Sequence, residues 1–138
     1  MKTYEIIEHT ADVGIKAFGK SLSAAFENAA KAMFDIITNN SVVDSVGQYK
    51  IELEAPDFEQ LLIDWLSELL FLSTSQNLVF GFFNVTLDKK TSRLSANVCG
   101  EKFSTKKHKI GVEIKAVTYH KVKVNIFKPY FAQVIFDI

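Results

Sequence analysis

One cysteine, Cys99, is all the chain carries in 138 residues, so no internal disulfide can form. A lone thiol cannot supply a CxxC pair or a four-thiolate centre, which excludes a structural thiolate-zinc fold. The opening stretch, MKTYEIIEHTADVG, has no apolar core of the kind a secretory signal needs. Apolar runs elsewhere are broken by charge well short of membrane-spanning length. A cytoplasmic protein with no membrane association is therefore expected. Nucleotide-binding loops are missing too, with neither GxxxxGK nor GxGxxG, and no HExxH marks a zinc hydrolase. Net charge is also missing, at 16 basic against 16 acidic residues. That balance hides an asymmetry: residues 1–69 hold 5 lysines and 12 acids, whereas residues 70–138 hold 11 basic residues and 4 acids. A basic surface is thus available on a neutral protein, which keeps a phosphate-rich partner in play.

What is present is a normal globular composition, 48% hydrophobic and 23% charged, of a size that suits one domain over residues 1–138. The 12 phenylalanines predict a core of large rings packed against a sheet. Tyr4 to His9 and Val13 to Phe18 have the composition of strands, with Gly14 and Gly19 as turn residues. Ser21 is a candidate N-cap for a helix in which Leu22, Ala25, Phe26, Ala29, Ala30, Met33, Phe34 and Ile37 form an apolar stripe, ended by Asn39-Asn40. Tyr49 to Ala55 alternates as a half-buried strand and stops at Pro56. Asp57, with Gln60 three residues on, predicts a capping box opening a second helix. Phe58, Leu61, Leu62, Trp65, Leu66, Leu69, Leu70 and Leu72 form its buried side. The remainder predicts strands near Val79 to Leu87, Ser92 to Val98, Gly111 to Tyr119, Val122 to Ile126 and Phe131 to Ile138. The expected class is α+β, a two-layer sandwich with two amphipathic helices on a largely antiparallel sheet.

Few residues stand out chemically. Asp12, between two strands, has the default role of a turn former. The tail Phe136-Asp137-Ile138 keeps strand-like alternation to its last residue, although most termini fray and are solvated. If the tail is tied into the sheet, Asp137 and the α-carboxylate of Ile138 lie close and repel unless a cation or proton intervenes. Adding Asp12 would make an all-oxygen site suited to a hard divalent ion. Sequence spacing does not show that Asp12 meets Asp137. His9, His108 and His120 lie in separate segments, without ligand spacing, and a structural or surface role is the default for each. Asp64 and Glu68 fit surface helix charge. Lys102, Lys106, Lys107 and Lys109 fit a solvated loop with the capacity to receive phosphate.

Taken together, several strings resemble the archease family: HTADVGI at residues 9–15, the AFENAAKAMF helix, LLIDWLSELLFL at 61–72, GEKFSTKKH, EIKAVTYH at 113–120, and the final Asp-Ile. The resemblance spans essentially the whole chain. It departs from the family at residues 104–107, Ser-Thr-Lys-Lys, where an acidic-then-Arg character is usual, which removes any basis for a role of Lys106 or Lys107. The resemblance implies an accessory protein, not an enzyme, that activates the tRNA-splicing RNA ligase RtcB. It would promote guanylylation and multiple turnover of that ligase in tRNA splicing and RNA repair, meeting RNA only through the ligase. It implies a divalent cation, calcium, with magnesium or manganese as alternatives, held by Asp12, Asp137 and Ile138. His9, Lys115 and His120 are expected beside that site or at the partner. The alternative function is a chaperone-like modulator of RNA-modifying enzymes such as methyltransferases. A third reading, a free-standing hydrolase using Asp12 and Asp137, lacks a recognisable second nucleophile or base.

Overall fold

The computed structural model describes residues 2–8 and 11–138. Strands β1 (Tyr4–Glu8) and β2 (Asp12–Gly19) lead into helix α1 (Leu22–Thr38). Strand β3 (Gly47–Glu54), helix α2 (Phe58–Gln76), strands β4 (Leu78–Asp88), β5 (Arg93–Lys102), β6 (Ala116–Asn125) and β7 (Tyr130–Asp137) follow. Both helix starts form as the sequence predicts. The Ser21 hydroxyl accepts the Ala24 amide at 3.1 Å and the Asp57 carboxylate accepts the Gln60 amide at 2.8 Å, each satisfying a donor the helix leaves free. Among the described residues no bond from the Asp57 amide to the Gln60 side-chain oxygen completes a capping box; the Gln60 side-chain nitrogen donates to Asp64 and to the Tyr119 hydroxyl. Asn39 ends α1 and Asn77 ends α2, both in the left-handed conformation that asparagine tolerates.

The α+β class holds, and the strands divide into two antiparallel sheets, β1-β2-β7-β6 and β3-β5-β4. Both helices touch both sheets, and one core runs through all of them. Trp65, Phe26, Phe34, Phe80 and Phe136 are fully buried, with Phe34 meeting Phe80 edge-on at 5.4 Å. The rings do not all enter the core: Phe71, Phe82 and Phe127 are exposed. Two helix carboxylates reach strand amides. Glu27 accepts from Val85 of β4 at 2.8 Å, and Glu59 accepts from Val124 of β6 at 2.9 Å. Both strands lie at sheet edges, so the carboxylates occupy amides that would otherwise be open to a foreign strand.

Two predicted strands, Gly111 to Tyr119 and Val122 to Ile126, form differently. Residues 111–115 are not in a strand, because Gly111 and Val112 donate their amides to the Ile37 and Ile36 carbonyls at the end of α1. Ala116–Asn125 is instead one strand, interrupted between Thr118 and Lys123, with Lys121 at a φ of 54°. No helix among the described residues is long and apolar enough to cross a membrane.

A candidate cation site at the meeting of the two chain ends

The central pairing of the four-stranded sheet joins β2, near the start of the chain, to β7 at its end. Its register is set by apolar residues on the face toward the helices: Val13 lies opposite Phe136, Ile15 opposite Val134 and Ala17 opposite Ala132, all buried. A slip of one residue would turn the three on one strand outward, so the register is strongly specified. Followed to its end, that register puts Asp12 directly opposite Asp137. Directly opposed residues on antiparallel strands project from the same face with Cα atoms about 5 Å apart. The tail beyond is held from two sides. The Lys115 amide donates to the Asp137 carbonyl at 2.8 Å, and the Ile138 amide points at the Ala11 carbonyl at 3.5 Å.

Asp12 and Ile138 line a cavity of about 520 Å³ with Tyr4, Asp35, Asn39 and Gly111. The end of α1 forms part of this wall, bringing the negative pole of the helix to the cavity, which favours a cation. Asp35 is already compensated: its carboxylate accepts the Tyr4 hydroxyl at 2.8 Å and the Lys31 ammonium at 2.5 Å. Burial, then the hydrogen bond to Asp35 and that residue's charge, push the Tyr4 hydroxyl up to about 12, so Tyr4 is a neutral donor near neutral pH. Asp12 differs from Asp35. Its Oδ1 is buried and, among the described residues, has no hydrogen-bond partner. A buried carboxylate oxygen without a partner is unfavourable, and a cation is the species that would satisfy it.

Among the described residues no three His, Cys, Asp or Glu side chains are grouped to hold a metal. The acidic donors the structure sets on the cavity are Asp12 and Ile138, with Asp137 opposite Asp12 in the strand register; such oxygen donors would fit a hard divalent ion rather than zinc or copper. Asp137 is exposed, and its side chain is not on the cavity wall. Lys115 is exposed and adjoins Asp137 through its backbone. His120 is exposed in the interrupted part of β6. His9 lies outside the described residues.

In the basic loop after β5, Lys106 and Lys109 are exposed, as a solvated loop predicts, but Lys107 and His108 are engaged by carboxylates. Lys107 pairs with Asp44 and, at 2.9 Å, with Glu101, and both hold its ammonium pKa above the ordinary value. His108 is buried, stacks on Phe103, accepts the Ser104 amide at 3.0 Å and lies 2.9 Å from Glu101. Burial alone would raise the Glu101 carboxyl, but the Asp44 amide, Lys107 and His108 outweigh it and bring the group down to about 2. Sequence reasoning missed Tyr4 and Asp35 at the cavity. The available signal was an aspartate set among the buried apolar positions of α1.

A model of the Archease protein family matches residues 4–138. The chain is 40% identical to the protein archease of Pyrococcus furiosus, covering 100% of both chains. It is 40% identical to that of Sulfurisphaera tokodaii, covering 90% of this chain and 89% of the relative. The solution structure of Methanobacterium thermoautotrophicum protein 1598 matches with a TM-score of 0.86 at 36% identity, covering 100% of both chains. An archease from Thermotoga maritima, described as a possible chaperone, has the same fold, with a TM-score of 0.65 at 21% identity over 96% of this chain and 94% of that one.

Proposed function

Since the chain belongs to the archease family, we propose that it is an accessory protein that activates an RtcB-type RNA ligase. It promotes guanylylation of the ligase and its repeated turnover in tRNA splicing and RNA repair. The observation that supports this reading most is the orphaned Oδ1 of Asp12, set opposite Asp137 and beside Ile138 on one cavity. Asp12, Asp137 and the carboxylate of Ile138 would hold a divalent cation, calcium in the first instance. Once bound, the ion supplies charge neutralisation and a Lewis-acidic centre for phosphate oxygens. The protein's own residues do the remaining work. The backbone bonds from Lys115 and to Ala11 hold the tail in place, and the Tyr4–Asp35–Lys31 set fixes the adjoining wall without adding free negative charge.

Multiple-turnover RNA ligation and ligase–GMP formation, measured with and without the protein, test the proposal. Stimulation that is lost in Asp12→Asn is the expected outcome. No stimulation at any ratio of the two proteins would overturn it. The second reading, a chaperone-like modulator of RNA-modifying enzymes such as methyltransferases, is favoured by the description of the Thermotoga relative as a possible chaperone. It predicts altered product specificity of a methyltransferase in place of ligase stimulation.

A further inference from the structure

The four-stranded sheet carries the helices on one face; on the other, Gly14 and Ile135 are buried, but the stretch beyond them toward Gly19 and Tyr130 is only partly covered. Along β2 and β7 the buried residues alternate with Lys16, Phe18, Phe131 and Gln133, which are only partly buried. On this outer side Phe18 lies directly opposite Phe131, and Lys16 lies opposite Gln133, which in turn faces Lys123 on β6. The Lys16 ammonium sits 4.2 Å from the Phe131 ring centre and 5.7 Å from that of Phe18, and Lys123 is 5.7 Å from Phe131. At the end of these strands a cavity of about 580 Å³ is lined by Phe18, Lys20, Lys128 and Tyr130. Aromatics under lysine stems are also a common way to cover apolar surface. Charge separates the two cases. Among the described residues none of Lys16, Lys20, Lys123 and Lys128 makes an ion pair, and Glu5, opposite Lys16, is bound to Lys2. Against these four lysines the one carboxylate that the described register places beside them is that of Glu5, already shared with Lys2, so the positive charge is in excess and favours a polyanion.

We propose that this outer face, centred on Phe18, Phe131, Lys16 and Lys123, binds a segment of single-stranded RNA directly. Flat rings on an open antiparallel sheet stack unpaired bases, whereas a duplex keeps its bases stacked inside. The lysines flanking the rings take the phosphates. The choice of RNA over DNA rests on the proposed ligase partnership; the stacking and charge arguments do not. RNA is then met by the protein itself and not only through the ligase.

Fluorescence anisotropy of the full chain with labelled single-stranded RNA, the same DNA sequence and an RNA duplex tests this. Single-stranded RNA is expected to bind best. Four phosphate contacts predict a slope of log K against log salt of about −3. Phe131→Leu, which keeps apolar bulk but removes the ring, is expected to weaken binding about tenfold. Lys16→Gln with Lys123→Gln is expected to flatten the slope by about 1.4. Circular dichroism of each variant confirms the fold. Asp12→Asn is expected to leave RNA binding unchanged while abolishing ligase stimulation, so the two proposals fail separately. Absence of binding, equal binding of duplex, preference for DNA, or folded variants that bind as the parent does would each overturn the assignment.

Discussion

Replacing Gly111 by alanine isolates the contact that seats the segment before β6 against α1. An added Cβ would lie 2.1 Å from the Ile36 carbonyl oxygen and 2.8 Å from both the Asn39 nitrogen and the Ile37 oxygen. All three are backbone atoms at the end of α1, so no side-chain rotation relieves the clash. Glycine is not required there for its dihedral freedom, since no glycine has a positive φ. The effect therefore comes from close approach. A carbon–oxygen contact needs about 3.3 Å, so the segment must retreat by about 1.2 Å. That retreat breaks the hydrogen bonds from Gly111 to Ile37 at 2.9 Å and from Val112 to Ile36 at 3.0 Å. Two lost hydrogen bonds at about 1 kcal/mol each, with about 1 kcal/mol of residual strain, give roughly 3 kcal/mol. The stiffer unfolded chain returns about 0.5 kcal/mol. With an unfolding entropy near 2.1 cal/mol/K per residue over 138 residues, the net loss lowers Tm by about 9 °C. Differential scanning calorimetry reads this directly. A Tm within about 2 °C of the parent would refute the close-packing argument.

Three further outcomes follow from the same structure. Asp12→Asn should leave the calcium-free protein no less stable than the parent, because the carboxylate oxygen it replaces is buried without a partner among the described residues. It should also erase the gain of about 2.7 kcal/mol that calcium at a hundred times Kd gives the parent. Thermal melts in chelator and in calcium check both, and an equal calcium shift in the two proteins contradicts the site. The Glu101 carboxyl titrates near 2 in the folded protein against an ordinary value of 4.5. Its contribution is therefore complete above pH 4.5 and is lost as pH falls through 2. The difference in urea midpoint between parent and Glu101→Gln should narrow across that window, and a constant difference would show that Glu101 is not the group responsible. Trp65→Phe removes the 3.1 Å bond from the indole nitrogen to the Phe26 carbonyl in a fully buried position. Chemical denaturation should show a loss of about 2 kcal/mol, and no loss would mean that the core repacks freely.

The helices were legible because their signals are local. Ser21 and Asp57 mark the starts, and apolar spacing predicts the span from Leu22 to Ile37 against an observed Leu22–Thr38. The second helix runs past Leu72 to Gln76, where Ser73, Thr74, Ser75 and Gln76 carry no apolar period to reveal it. The strand error at residues 111–115 has a non-local cause: their composition suits a strand, but two of their amides are taken by α1. The candidate site was only half legible. Alternation to the last residue pointed to an ordered tail, but the pairing of Asp12 with Asp137 joins opposite ends of the chain. The buried positions that fix its register are visible only once β2 and β7 are side by side. The ordered tail and the turn aspartate suggested the residues, the resemblance to archease singled them out, and the unpartnered oxygen of Asp12 gives a physical reason for that one residue. Neither composition nor periodicity suggested the clustering of Lys16 and Lys123 over facing phenylalanines, because those four residues come from three strands.

The cation site stands or falls on whether the last carboxylate of the chain is a ligand. Calorimetric titration of calcium into the parent, and into a form carrying a short Gly-Ser extension after Ile138, measures this with the core untouched. Saturable binding by the parent, weakened at least tenfold by the extension, is the predicted result. Equal affinity in the two proteins would contradict it.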